Sequence, residues 1–339
     1  MTTTSTYCSK RLGELDHGKL QTALDRMRLG KLKGVTPITA GNFGQNVFIS
    51  ADTGEYVFRG CPHYAWQFPK ERRFARLLNE ATEVPVPWPY LLDPDAALFG
   101  WPYVIMPRMP GLELNDECSS QAIGHNDWLG IAEAMGRALA GLQSLTHEFC
   151  GEYDVYTDDF KPFGCSHLEY VRSRLLTDVD AANETLTPSD REWVKSLLDD
   201  AEAALAVGFE PVFVMQDFKG GNLVVQRTNG RWDVSGVFDF MEPFFADGEM
   251  DLCRNLCCHI ESGNPQLAAA FVSAYANARP MREGCLARFP VYLLLDRIII
   301  WNFGWRHGRP WWDQRLSFRD WIDLDTMMET FQQSLRGDA

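Results

Sequence analysis

The sequence lacks both a long hydrophobic run and a surplus of basic residues. No stretch reaches the roughly 18 apolar residues of a membrane span. The closest candidate, residues 289–305, carries Asp296 and Arg297 at its centre, so we expect a buried helix there. The 32 basic side chains are outnumbered by 46 acidic ones, which gives a formal charge of −14. Because a net negative chain repels a phosphate backbone, general nucleic-acid binding is disfavoured.

The N-terminus also lacks the order of a signal peptide, and the cysteines lack any pairing pattern. MTTTSTYCSKRLGE has no basic segment followed by an apolar one. The nine cysteines are an odd, scattered set without a CxxC motif, which indicates reduced thiols and a cytoplasmic location. Cys253 and Cys257 would share one face of a helix, but nothing nearby completes four zinc ligands. We therefore expect them to pack as small apolar residues.

The composition of the chain is that of a globular protein, and its secondary-structure pattern differs between a first and a second part. Its 339 residues, 45% hydrophobic and 23% charged, suggest two compact units. Strand patterns dominate the first part, and helical patterns dominate the rest apart from a hairpin around Asn229-Gly230. Pro107, Pro110 and Gly111 interrupt the periodic pattern between these two parts of the chain. We place a boundary there, which gives one lobe over residues 1–109 and another over 110–339.

The predicted elements follow from periodicity and from breaker residues. An amphipathic helix is expected within residues 10–30, and a second helix is expected to open at Pro69. The predicted strands are Gln45–Ser50, Glu55–Arg59, Tyr103–Met106, Leu223–Gln226 and Trp232–Phe238. The predicted helices of the second lobe are Trp128–Leu145, Leu168–Val179 and Glu192–Leu205, with a helical remainder from Asp251.

The densest polar group of the sequence is QDFKGGN, residues 216–222. Asp217 and Asn222 stand in a D-x4-N spacing, and Asp239 ends an apolar strand 17 positions later. Phosphoryl transfer needs one carboxylate to orient or deprotonate the attacking hydroxyl. It also needs an amide oxygen and a second carboxylate to hold Mg²⁺ on the nucleotide phosphates. Each residue alone would be read as a turn cap, but the combination favours a phosphoryl-transfer site.

These motifs resemble the aminoglycoside phosphotransferase family, whose signature is H-G-D-x4-N followed by an apolar strand that ends in Asp. The resemblance covers residues 36–260 and implies an α+β, protein-kinase-like two-lobe fold. It makes Asp217 the catalytic base and makes Asn222 and Asp239 the Mg²⁺ ligands. ADGEMDL is similar to the family's G-D-P-x-x-D-L, which implies that Asp251 supports the backbone of the catalytic loop.

The resemblance also implies that lobe 1–109 binds the nucleotide, ATP or GTP. Gly41, Gly44 and Asn46 belong to a loop between two strands, whose N–H groups would cover the phosphates. Arg59 would bind the α- and β-phosphates, since a guanidinium suits phosphate in a bidentate manner. Glu71, on the next helix, would pair with Arg59.

Four further positions complete the comparison with the family. The carbonyl of Pro107 and the N–H of Met109 would bind adenine. The usual His-Gly before the catalytic Asp is Met215-Gln216 here. We expect the Gln216 amide to supply the hydrogen bonds by which that histidine supports the loop.

The expected activity is transfer of a γ-phosphate to a hydroxyl of a small polar molecule. An aminoglycoside-type antibiotic is favoured; a metabolic small-alcohol or macrolide kinase is the alternative, as is a nucleotide-binding pseudokinase without turnover. A protein kinase is disfavoured because no A-P-E segment follows Asp239. Carboxylates near the loop would favour a polyamine, and aromatic faces would favour a quaternary ammonium. The residues concerned are Glu242, Asp247, Glu249, Trp301, Trp305, Trp311 and Trp312.

Overall fold

A computed structural model describes residues 12, 14–38, 45–114, 123–309, 312–313 and 315–336. The chain divides into two compact units. Unit 1 comprises residues 1–112 together with 153–160 and 235–241, and unit 2 comprises 113–152, 161–234 and 242–339. Within the described ranges, no helix combines the length and the apolar character that a membrane crossing requires.

The described elements alternate between short strands and longer helices. The strands are β1 Leu32–Pro37, β2 Asn46–Ala51, β3 Gly54–Gly60, β4 Leu91–Asp93, β5 Tyr103–Pro107, β6 Leu112–Glu113, β7 Gly151–Asp154, β8 Asp159–Pro162, β9 Val212–Val214, β10 Leu223–Thr228, β11 Arg231–Val237 and β12 Phe244–Ala246. The helices are α1 His17–Met27, α2 Gln67–Ala81, α3 His125–Leu142, α4 His167–Ala181, α5 Pro188–Leu205, α6 Leu252–Glu261, α7 Pro265–Ala278, α8 Cys285–His307, α9 Phe318–Ile322 and α10 Leu324–Arg336.

Unit 1 is built on a five-stranded antiparallel sheet in the order β1-β2-β3-β5-β4. Side chains alternate across β2, so that Val47, Ile49 and Ala51 are buried. These residues form one hydrophobic cluster with Leu20 and Leu24 of α1. The register of β2 and β3 places Asn46 opposite Arg59.

The first two helices differ from their predicted bounds. The expected helix within residues 10–30 is only α1, His17–Met27. The Asp16 side chain accepts the Lys19 N–H at 2.8 Å and caps its N-terminus, and β1, which the sequence did not predict, follows it. Helix α2 opens at Gln67, two residues before Pro69. Pro69 is tolerated there because the first turn needs no backbone donor.

Unit 2 is mainly helical. Helix α3 packs closely against α7, and a Cβ on Gly136 would lie 2.3 Å from the Phe271 carbonyl oxygen, so this contact requires glycine. Helix α8 is the buried helix predicted around Asp296 and Arg297. The turn predicted at Asn229-Gly230 joins β10 to β11, with φ angles of 53° and 83°.

Candidate active site

Three of the predicted site residues meet in unit 1. Arg59, near the end of β3, lies with Nη1 3.2 Å from Glu71 Oε2 and Nη2 3.0 Å from Asp239 Oδ1. The side chains of Arg59 and Glu71 are 8% and 1% exposed, whereas Asp239 is 40% exposed. Burial lowers the pKa of Arg59, but the carboxylates of Glu71 and Asp239 outweigh burial and raise it. The pairing of Arg59 with Glu71 thus has the predicted geometry.

Glu71 is held by two further side chains that sequence reasoning missed. The Tyr90 hydroxyl donates to Glu71 Oε2, and Gln67 Nε2 donates to Oε1 at 3.0 Å. Burial raises the pKa of Glu71, while Arg59 and these donors oppose the shift. Gln67 lies one turn before Glu71, so helical spacing was a usable signal for it. Nothing in the proline-rich run before Tyr90 indicated that its hydroxyl reaches Glu71.

The predicted adenine-binding residues lie at the end of β5 and directly after it. The Arg108 N–H donates to the Glu55 carbonyl of β3 at 3.0 Å. Because the C=O and N–H of one trans peptide group point in opposite directions, the carbonyl of Pro107 faces away from β3. Strand β4 pairs with β5 over residues 103–105 and not beyond Ile105. Both predicted adenine contacts therefore lie beyond that strand pairing.

The predicted phosphate-covering loop is described only at its end. Gly41 and Gly44 lie outside the described residues. Asn46 begins β2 opposite Arg59. Its Oδ1 is buried and has no hydrogen-bond partner within the part of the chain that the structure describes.

The catalytic-loop residues of unit 2 also meet. Asn222 Nδ2 donates to the Asp217 carboxylate at 2.9 Å and to the Asp217 backbone oxygen at 2.8 Å. Two cations share the same carboxylate: Lys219 Nζ at 2.8 Å and Arg254 Nη1 at 3.0 Å. The sequence had singled out Lys219 only as a neighbour in the motif and had not indicated Arg254, which comes from α6 some 37 residues later.

Asp251 supports the backbone of this loop, as the resemblance implied. Its two carboxylate oxygens accept the N–H groups of Met215 and Gln216, each at 2.6 Å. Burial raises the pKa of Asp251 to about 7, although both N–H donors oppose the shift. Gln216 has a φ of 68°, a conformation that glycine adopts without cost.

The expectation for the Gln216 side chain is not supported. No hydrogen bond from this side chain occurs among the described residues; only its backbone N–H is engaged. The family signature has glycine at this position, and here glutamine adopts a backbone conformation that suits glycine.

The predicted Mg²⁺ ligands have suitable chemistry. Because Nδ2 of Asn222 is engaged by Asp217, its Oδ1 faces away from that residue. Asp239 follows β11 with a φ of 72°, and its carboxylate is partly exposed. An amide oxygen and a carboxylate are the hard oxygen ligands that Mg²⁺ prefers. Asn222 belongs to unit 2 and Asp239 to unit 1.

Several of the residues suggested for acceptor binding are committed to the interior of unit 2. Asp247 pairs with Arg282 and accepts the Tyr292 hydroxyl at 2.6 Å. Glu249 lies 2.8 Å from Arg288 Nη2. Trp301 is 1% exposed, and Trp311 lies outside the described residues. Glu242 is exposed. Ion pairing in the interior thus explains Asp247 and Glu249, and burial explains Trp301.

Solved structures of similar fold are aminoglycoside phosphotransferases. A thermostable mutant of APH(4)-Ia, in a ternary complex with ADP and hygromycin B, matches with a TM-score of 0.61 at 15% identity, covering 95% of this chain and 99% of that one. A Ralstonia eutropha JMP134 protein assigned to the aminoglycoside phosphotransferases gives 0.62 at 17% identity, covering 94% and 99%. The GDP and kanamycin complex of APH(2")-IIIa gives 0.60 at 14% identity, covering 96% and 100%.

These likenesses confirm the predicted fold class, a kinase-like arrangement with an antiparallel-sheet unit and a helical unit. The model of the phosphotransferase enzyme family, APH, matches residues 34–284. This range contains the catalytic-loop motif and Asp239, and it spans well over half of the 339 residues. The chain therefore belongs to the APH phosphotransferase enzyme family.

Proposed function

We propose that this enzyme transfers the γ-phosphate of ATP or GTP to a hydroxyl of a small molecule, with Asp217 as the catalytic base. The observation that carries the proposal is the Asp217 carboxylate held by Asn222 in a loop whose backbone is bonded to Asp251. Complexes of similar fold contain ADP or GDP, which supports a nucleotide as the phosphate donor.

The residues of unit 1 bind the nucleotide in this proposal. Arg59, oriented by Glu71, binds the phosphates, and the backbone of Pro107 and Met109 binds the base. Asn46, with Gly41 and Gly44, belongs to the loop that covers the phosphates. Asn222 and Asp239 would hold Mg²⁺, which neutralises the charge of the phosphates during transfer.

Asp217 orients the acceptor hydroxyl and takes its proton as the oxygen attacks phosphorus. Lys219, at 2.8 Å from Asp217, lies where it can also stabilise the charge of the transferred phosphoryl group. Aminoglycosides, macrolides and small metabolic alcohols are the candidate acceptors. The first class is suggested by hygromycin B and kanamycin in the complexes of similar fold.

The proposal is tested by nucleotide turnover in the presence of Mg²⁺, measured with a panel of these alcohols and confirmed by isolating the phosphorylated product. Asp217→Asn should lower transfer by about 10²–10⁴-fold, because it removes the general base. Asp199→Asn is a matched control, since Asp199 is a 68% exposed carboxylate of unit 2. Equal turnover in wild type and Asp217→Asn would remove Asp217 as the base. No turnover in wild type with any alcohol of the panel would contradict the proposal and favour a pseudokinase.

A further inference from the structure

Arg254 is fixed directly against the carboxylate of Asp217. Its Nη1 lies 3.0 Å from Asp217 Oδ1, and its Nε donates to Asp296 Oδ1 of α8 at 2.6 Å. The Arg254 side chain is only 10% exposed and that of Asp296 7%. A guanidinium carries its charge at every relevant pH. Because Asp296 anchors it, Arg254 cannot turn away from Asp217 without breaking a buried, charged hydrogen bond.

Asp217 therefore has two basic neighbours, Arg254 and Lys219. An acceptor hydroxyl that reaches Asp217 must come close to both of them. An ammonium group beside that hydroxyl would have to approach these two cations, and like charges brought together across a binding surface are unfavourable. The charge of Asp217 is already balanced by its two partners, so it offers an ammonium group no net attraction.

The buried carboxylates of the surrounding region do not offset this repulsion. Asp296 is paired with Arg254, and its second oxygen lies 3.8 Å from Arg297 Nη1. Asp247 and Glu249 are bonded to Arg282 and Arg288, as described above. Each of these carboxylates lies against an arginine that compensates its charge, and of their oxygens Asp296 Oδ2 is the one without a hydrogen-bond partner among the described residues.

A small cavity beside the loop is lined by one acidic and one basic side chain, so its wall also offers no excess of negative charge. It measures about 30 Å³, enough for one water molecule or a group of similar size. Its wall includes Gln216, the residue before Asp217, and is otherwise largely aromatic and aliphatic, with one acid and one base. Among the residues that line it are Tyr170, Phe244, Leu295, Arg174 and Asp296.

We propose that the acceptor is an alcohol without ammonium groups near the phosphorylated hydroxyl, and that Arg254, together with Lys219, selects against polycationic aminoglycosides. The inference rests on the phosphotransfer proposed above and narrows its acceptor class. It assigns to Arg254 a role in specificity, exerted from beside the catalytic base.

The first experiment compares neutral acceptors with counterparts that carry amines. Phosphoryl transfer is measured with glucose against glucosamine, with myo-inositol against 2-deoxystreptamine, and with kanamycin and hygromycin B. We expect kcat/KM for each neutral compound to exceed that of its amine counterpart by at least about tenfold. Preferred phosphorylation of kanamycin, hygromycin B or the amine counterparts would overturn the inference and leave the phosphotransfer proposal standing.

The second experiment removes the cation at Asp217. The double variant Arg254→Met/Asp296→Asn eliminates both partners, so that neither charge is left buried alone. We expect the ratio of kcat/KM for amine over neutral acceptor to rise by about tenfold. A merely structural role would instead lower transfer to both acceptors equally and leave the ratio unchanged.

A matched control removes the neighbouring ion pair between the same two helices. Arg297 of α8 pairs with Glu261 of α6, and neither residue touches Asp217 among the contacts of the described residues. Arg297→Met/Glu261→Gln should leave the acceptor ratio at the wild-type value. No transfer to any acceptor, with Asp217→Asn indistinguishable from wild type, would contradict the proposed function itself and the inference with it.

Discussion

The carboxylate of Asp251 accepts the backbone N–H of Gln216 at 2.6 Å and helps to hold that residue at a φ of 68°. A side chain other than glycine in the left-handed region costs roughly 1 kcal/mol. The family signature has glycine at this position. Gln216 therefore carries backbone strain immediately before the catalytic Asp217.

Replacing this glutamine should relieve the strain. Gln216→Gly should raise the free energy of unfolding by about 0.5–1 kcal/mol relative to Gln216→Ala, since alanine keeps the unfavourable φ while glycine does not. Urea denaturation of both variants measures the difference. Alanine normally stabilises a chain relative to glycine, so an alanine variant more stable than the glycine variant would refute the strain.

Tyr90 should act on nucleotide binding through Glu71. Tyr90→Phe removes one hydroxyl and leaves the ring packing, so the Glu71 carboxylate loses a donor worth about 1.5–3 kcal/mol in stability. Because Glu71 orients Arg59, we expect the nucleotide KM to rise by about three- to tenfold, with a smaller change in kcat.

Tyr103→Phe is the control for this prediction. The Tyr103 hydroxyl donates to Asp93 at 2.7 Å, in the same unit but without contact to Arg59. It should lower stability and leave the nucleotide KM unchanged. If both variants change KM alike, a general loosening of unit 1, rather than the orientation of Arg59, is responsible.

Asp239 should be needed for transfer and not for folding. Its side chain is 40% exposed, and Arg59 keeps Glu71 as a partner when Asp239 is neutralised. Asp239→Asn should lose transfer by several orders of magnitude and show wild-type circular dichroism. Asp233→Asn, on strand β11 and similarly exposed, should retain transfer. Turnover of Asp239→Asn within a few-fold of wild type, with normal Mg²⁺ dependence, would remove Asp239 from the mechanism.

The sequence was most informative where function requires a fixed spacing. Asp217 and Asn222 lie five positions apart in one loop, so their contact is local. The pairing of Arg59 with Glu71 was implied by the resemblance to the family, since the residues around Glu71 alone indicate a solvated helix face. Helix ends were less accurate because caps such as Asp16 decide them. The predicted division at residues 109 and 110 stays a prediction.

The remaining site residues depend on long-range packing. Tyr90 reaches Glu71 and Arg254 reaches Asp217 only because distant segments pack together, and neither residue stands in a motif of its own. The same holds for residues 153–160 and 235–241, which join unit 1 from far along the chain. A sequence pattern records which side chains are buried but not which partner a buried hydroxyl or guanidinium finds.

His167 should make stability fall in mild acid. The Tyr292 hydroxyl donates to Asp247, so its oxygen accepts from His167 Nε2, at 2.8 Å, and the imidazole is neutral. Burial lowers the pKa of His167 to about 4 from an ordinary 6.5; Asp247 opposes the shift, and Arg282 and Arg288 add to it. Between these pH values the unfolded chain binds the proton more readily, so stability is lost as pH falls from 6.5 to 4.

This shift corresponds to a loss of up to about 3 kcal/mol. His167→Gln keeps an N–H donor for Tyr292 but does not titrate, so its free energy of unfolding should change less over this range. Replacing the exposed His125 by Gln should leave the wild-type dependence intact. Urea denaturation at several pH values between 4 and 7 measures the three curves. Parallel curves for wild type and His167→Gln would show that other groups cause the acid sensitivity.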